Sequence, residues 1–168
     1  MSTNVAPRLA LVVMGVSGSG KTSVGQGIAA RFGVAFCDGD DLHSAANVAK
    51  MHAGIALDDI DRAPWLDAVG AVLADRVRYP DGVVVACSAL KRAYRDRLRV
   101  AAGGCHFLYL ALTRETAERR VAGRPGHFMP ASLVATQFAT LERPAPDEID
   151  VAEIDATLPL ATIVERFA

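Results

Sequence analysis

Short runs of almost unbroken apolar residues alternate along the chain with longer stretches in which apolar positions recur every three or four residues. Leu9-Ala-Leu-Val-Val-Met14, Val83-Val-Val-Ala-Cys87 and Phe107-Leu-Tyr-Leu-Ala-Leu112 contain almost no polar position, as expected of strands covered on both faces of a parallel sheet. The pattern predicts strands near 9–14, 34–37, 82–87, 105–111 and 149–154. It predicts helices over 21–31, 43–53, 64–78, 91–101, 114–123, 131–141 and 159–167. Strands alternating with helices in this way build βαβ units around a central parallel sheet. Asp61 and Pro64 mark the expected opening of the third helix, where a missing N–H costs little, and the turn Tyr79-Pro-Asp-Gly82 closes it.

Composition narrows the class. With 168 residues, of which 51% are hydrophobic and 22% charged, the chain suits one globular domain spanning 1–168 and not a disordered segment. Eighteen Lys/Arg against nineteen Asp/Glu leave a net charge of −1, so no global field recruits nucleic acid or an anionic membrane surface. No apolar run approaches the ~20 residues of a membrane span. The cysteines Cys37, Cys87 and Cys105 are odd in number and lack metal-ligand spacing, which argues against a disulfide or zinc framework and for a reducing cytoplasm. The near-neutral total hides sorted charge: residues 91–124 carry nine Lys/Arg and three Asp/Glu, whereas 37–67 carry two and seven. An anion site beside a cation or proton-acceptor site would explain that sorting, as would solvated helix faces.

The phosphate-binding signal is Gly15-Val16-Ser17-Gly18-Ser19-Gly20-Lys21-Thr22, which fits the pattern G-x-x-x-x-G-K-[ST]. An apolar strand leads into it and an amphipathic helix follows, so its backbone N–H groups sit at a helix N-terminus, where an anion is favoured. Lys21 is then expected to reach the outer phosphates of a nucleoside triphosphate, and the Thr22 hydroxyl to ligate Mg²⁺. The apolar run at 82–87 ends in Cys87-Ser88 without the acidic residue of many ATPase motors, and no Asn-Lys-x-Asp element appears. A small-molecule kinase therefore fits better than a motor or a GTPase. Its acidic element follows the second strand as Asp38-Gly-Asp40-Asp41. Asp38 is expected to support Mg²⁺ through water, Asp40 to accept or orient the acceptor hydroxyl's proton, and Asp41 to cap a helix.

These motifs, together with Asp38-Gly-Asp-Asp-Leu-His43, Asn47, Asp61-Arg62-Ala-Pro-Trp65-Leu66, Cys87-Ser-Ala-Leu-Lys91, Tyr94-Arg95, Gly126-His127-Phe128, Gln137-Phe138 and Asp147-Glu148, resemble the gluconate kinases of the P-loop kinase superfamily over nearly the whole chain. The resemblance implies a three-layer α/β/α P-loop NTPase fold of the nucleoside-monophosphate-kinase type with a five-stranded parallel sheet. It implies transfer of the ATP γ-phosphoryl to the 6-hydroxyl of D-gluconate with Mg²⁺. It also implies a substrate-binding helical region at about 40–80 and a lid at about 120–130 with Gly126 as a hinge. On that reading Arg62, Lys91 and Arg95 surround the substrate carboxylate, and Asp40, His43 and Asn47 address hydroxyls. Arg120 and Arg124 belong to the nucleotide side, and His127 touches substrate when the lid closes. Trp65 is expected to pack in the core or cap the substrate. Relatives in this family are often homodimers. Competing readings are another small-molecule P-loop kinase, of the shikimate or nucleoside type, and a catalytically silent nucleotide-binding regulator.

Overall fold

The computed structural model of the chain describes residues 7–126 and 130–168. Five parallel strands, β1 (Leu9–Met14), β2 (Ala35–Asp38), β3 (Gly82–Ala86), β4 (His106–Ala111) and β5 (Val151–Asp155), form one sheet in the order β2-β3-β1-β4-β5. Among the described residues seven α-helices surround it: α1 (Lys21–Phe32), α2 (Ala45–His52), α3 (Asp59–Ala74), α4 (Arg92–Ala102), α5 (Arg114–Ala122), α6 (Ala131–Thr140) and α7 (Leu160–Phe167).

Strand geometry explains the unbroken apolar runs. Successive side chains point to opposite faces, so Ala10, Val12 and Met14 of β1 join Trp65, Leu66, Val69, Leu73, Tyr94 and Leu98 from α3 and α4. Leu11 and Val13 join Val24, Ile28 and Ile163 from α1 and α7 on the other face. The same alternation runs through β3 and β4, with Val83, Val85, Phe107 and Tyr109 on the first face and Val84, Leu108 and Leu110 on the second. Three layers result. The edge strands β2 and β5 are only partly covered, so their sequences carry the weaker signal. A third cluster, Val16, Leu90, Ala117, Val121 and Val134, seats α5 and α6 over the carboxyl ends of the strands.

The third helix differs from its expected span at both ends. It opens at Asp59, five residues before Pro64, because the Asp58 side chain accepts from the Asp61 N–H at 2.7 Å while the Asp61 carboxylate accepts from the Asp58 N–H at 3.1 Å. That reciprocal pair satisfies two N–H groups that an uncapped start would leave open. Pro64 therefore lies inside the helix. The helix stops at Ala74, since the Arg8 guanidinium takes the carbonyls of Leu73, Asp75 and Tyr79 at 2.9, 3.2 and 2.9 Å. Residues 39–42, expected to lead directly into a helix at 43, form a 3₁₀ turn, and α2 starts later, with the Ser44 hydroxyl capping the Asn47 N–H.

Candidate active site

The carboxyl edge of the sheet brings three segments together: the loop after β1, the acidic turn after β2, and the loop after β3. In an open α/β sheet this edge is where ligands bind. Gly18 and Gly20 take φ of 85° and 91°, a backbone region that other residues rarely enter. A Cβ at Gly18 would lie 2.8 Å from the Ala117 carbonyl oxygen, so α5 can approach the loop only because that residue is glycine. Gly20 caps α1 without any side-chain bond to the first-turn N–H groups. Those donors and the helix dipole are left for an anion. Gly15 N–H donates to the Ser88 carbonyl at 3.3 Å, linking this loop to the one after β3. The Ser19 hydroxyl is the buried side-chain oxygen left without a partner among the described residues.

Lys21 folds back over the loop, its Nζ donating to the Val16 carbonyl at 3.0 Å. Burial lowers its pKa, with Asp40, Cys87 and Asp38 opposing that shift and Arg124 adding to it. A desolvated ammonium near other charges is poised to gain from an arriving phosphate. The Cys87 thiol beside it is pushed up to about 12 by burial, so it stays protonated and is no nucleophile. All three cysteines are free thiols.

Thr22 Oγ1 donates to Asp38 Oδ2 at 3.0 Å, and Asp38 Oδ1 accepts the Asp40 N–H at 3.0 Å. A hydroxyl and a carboxylate side by side at the phosphate loop form an oxygen-only donor set, which suits a hard cation such as Mg²⁺ that keeps several waters and phosphate oxygens. Thr22 and Asp38 therefore fit the ion.

Beneath the loop lies a cleft whose wall includes Ser17, Lys21, Asp40, His43, Arg62, Trp65, Ser88 and Gln137. A concave wall with a few converging polar groups is the usual form of a small-molecule site. Trp65 is buried, its indole N–H donating to the Gly39 carbonyl at 2.7 Å, and its ring stacks on His43 at 4.3 Å with 13° between planes. Core packing and a place in the cleft wall are thus combined in one residue. Arg62 Nη1 donates to the Tyr94 hydroxyl at 3.1 Å, and that hydroxyl donates to Asp59. Tyr94 and Lys91 together hold the Asp59 carboxyl below its usual range, the tyrosine bond contributing most.

Three expected substrate ligands sit elsewhere. Arg95 is fully buried, with both Nε and Nη2 on the Glu148 carboxylate at 2.8 Å and Nη1 on the carbonyls of Ala89 and Leu90 at 3.0 and 3.2 Å. Its donors are spent inside the protein, which corrects the assignment to the substrate carboxylate. The buried pair instead supports the loop after β3. Ala89 there has φ of 44°, a strained conformation for an L side chain, and the Arg95 guanidinium pins that turn beside Ser88. Lys91 lies outside the cleft wall, its ammonium on both Asp59 oxygens at 3.0 and 3.2 Å. Asn47 is buried behind His43 and not at the cleft. His127 lies outside the described residues.

On the other side of the phosphate loop, Gly18, Gly20, Thr116, Arg119, Arg120, Arg124 and Thr157 line a second, open cleft. Arg120 spans it, donating to the Gly18 carbonyl at 3.2 Å and the Ala156 carbonyl at 3.0 Å. Arg120 and Arg124 both line this cleft, but not from one helix face as their spacing of four suggests, because α5 ends at Ala122 and Arg124 comes from the segment after it. Sequence reasoning assigned no role to Gln137, yet its side chain accepts the Ser17 N–H at 2.7 Å and donates to the Ser17 hydroxyl at 3.0 Å. It ties α6 to the phosphate loop across 120 residues, a pairing without a local signal.

The chain matches known proteins along most of its length. A family model described as an AAA domain matches residues 11–144. The thermosensitive gluconokinase of Escherichia coli (strain K12) is 44% identical over 155 residues, covering 92% of this chain and 83% of that protein. The gluconokinase of Gluconobacter oxydans (strain 621H) is 49% identical over 138 residues, covering 82% and 78%. Among solved structures, a gluconokinase from Sinorhizobium meliloti 1021 superposes with a TM-score of 0.85 at 49% identity, covering 95% of this chain and 90% of that one.

Proposed function

The chain belongs to the gluconokinase family of P-loop kinases, and from that premise we propose that it transfers the γ-phosphoryl of ATP to the 6-hydroxyl of D-gluconate, giving 6-phospho-D-gluconate and ADP. The observation that carries the proposal is the cleft in which Lys21 and Ser17 of the phosphate loop face the same space as Asp40, His43 and Arg62. A triphosphate on the loop and a small polar acceptor in the cleft would meet at Lys21.

Each residue's part follows from its chemistry. Loop amides and Lys21 bind the phosphates and neutralise charge that builds on the transferring group. Thr22 and Asp38 are the residues that would hold Mg²⁺, which would supply further neutralisation of the triphosphate. Asp40 orients the acceptor hydroxyl and takes its proton. Arg62 offers a guanidinium suited to a carboxylate, and its bond to Tyr94 aims it. Arg120 and Arg124 serve the nucleotide cleft. The stretch at about 120–130, part of which lies outside the described residues, serves in this reading as the lid that excludes water, which in a kinase would otherwise compete as acceptor.

No helix among the described residues is long and apolar enough to cross a membrane, and the buried free thiols favour a cytoplasmic setting. A homodimer is the proposed assembly, to be read by light scattering. The acceptor is tested by coupled ADP release with a panel of gluconate, other sugar acids, shikimate and nucleosides. Turnover is expected with gluconate; preference for shikimate or a nucleoside would overturn the assignment, and no ADP release with any acceptor would favour a silent regulator.

A further inference from the structure

Asn47 is buried, and its side-chain nitrogen has two neighbours. Nδ2 lies 2.9 Å from the Asp61 carbonyl oxygen and 3.3 Å from His43 Nδ1. A backbone carbonyl can only accept, so the Asn47 atom facing it must be the NH₂ group. That settles the orientation of the carboxamide, and it leaves the second N–H of the same nitrogen pointing at the imidazole. Nδ1 must then be an acceptor without a proton. A neutral imidazole with a bare Nδ1 carries its hydrogen on Nε2.

The ring is otherwise immobilised. Trp65 stacks on one face, and the indole is itself held by its bond to Gly39. The Nδ1 edge is turned to buried Asn47, which leaves the Nε2 edge available to the cleft that His43 lines. Charged groups face His43 from each side: Asp40 from the turn after β2, Arg62 from α3, and Lys21 across the cleft. Burial is the largest influence on the ring and lowers its pKa, Arg62 acts the same way, and Asp40 opposes both.

We propose that Asn47 is a positioning residue that locks His43 as the neutral tautomer protonated at Nε2, so that His43 donates a hydrogen bond to an oxygen of the acceptor and does not compete with Asp40 for the acceptor's proton. Nε2 already carries a hydrogen and Nδ1 is occupied, so the ring has no free lone pair facing the cleft. The role toward the acceptor rests on the kinase reading above; the tautomer does not.

Long-range ¹H–¹⁵N correlation spectra of the ¹⁵N-labelled full chain near pH 7.5 test the assignment, with the His43 signals identified by their loss in His43→Gln. An unprotonated Nδ1 and a protonated Nε2 are expected; a proton on Nδ1, or an imidazolium, would overturn the proposal. In Asn47→Asp the new carboxylate accepts instead of donating, so the proton should move to Nδ1 and the ring should titrate at higher pH. The KM for the acceptor should then rise about tenfold, the factor carried by one hydrogen bond, with a smaller change in kcat. A folded Asn47→Asp that keeps the Nε2–H form would overturn the proposal, and if that variant does not fold the wild-type spectrum decides. A wild type with the expected tautomer that fails to phosphorylate gluconate would overturn the substrate reading and leave the role of Asn47 upheld.

Discussion

Replacing Glu148 by Gln removes one charge from the interior while nearly preserving shape. The carboxylate receives Nε and Nη2 of Arg95, Nη2 of Arg99 at 2.8 Å and the Ala145 N–H at 3.1 Å, and both Arg95 and Glu148 side chains are almost wholly shielded from solvent. Breaking a buried ion pair by neutralising one partner typically costs about 3–5 kcal/mol, because the other charge is left uncompensated. The bonds from Arg95 and then Arg99 pull the Glu148 carboxyl down to about 2, the direction expected when the charged form is the one the fold stabilises. Urea unfolding at pH 7 should show Glu148→Gln destabilised by about 3 kcal/mol, a large share of the roughly 5–15 kcal/mol available to a domain. The sign with pH is also determined. A depressed carboxylate pKa stabilises the fold above the unfolded value near 4.5 and loses that contribution as pH falls toward 2, so the difference between wild type and variant should shrink across that window. A variant within about 0.5 kcal/mol of wild type at pH 7, where surface substitutions usually fall, would refute the reasoning.

Lys21→Ala should abolish measurable turnover, a loss of roughly 10²-fold or more, while circular dichroism and unfolding stay close to wild type; wild-type kcat would contradict the role assigned to its ammonium. Asp40→Asn should lower kcat by about 10²–10⁴-fold with little change in the KM for ATP, and a nearly unchanged kcat would make Asp40 structural. Arg120→Ala removes the link between Gly18 and Ala156 and should raise the KM for ATP more than that for the acceptor; the opposite ranking would place Arg120 outside the nucleotide side.

The central sheet was legible because β1, β3 and β4 are covered on both faces and write that burial into unbroken apolar runs. The phosphate loop was legible because its glycines, lysine and threonine lie within eight residues, so local spacing alone carries the chemistry. Arg95 was misread for the converse reason. Its partner Glu148 lies 53 residues away, and nothing near Arg95 distinguishes a guanidinium destined for the interior from one lining a pocket. Asn47 shows the same limit at shorter range: its spacing of four from His43 places the two together, yet which of them faces the cleft depends on α3 supplying the Asp61 carbonyl. The early start of α3 was in principle readable, since Asp58 and Asp61 have the spacing of a reciprocal cap, but Pro64 is the louder signal and drew the boundary toward itself. The stop at Ala74 was not readable at all, being set by Arg8 from the other end of the domain.

The most direct test of the account is the identity of the product. The full chain incubated with ATP, Mg²⁺ and ¹³C-labelled D-gluconate should yield ADP and a sugar acid whose C6 resonance is displaced as in a phosphate ester, with coupling to phosphorus at C6 and its neighbour C5 and at no other carbon. Phosphate on another hydroxyl, or release of inorganic phosphate with gluconate unchanged, would contradict the claim that the cleft beneath the phosphate loop presents the 6-hydroxyl of gluconate for transfer.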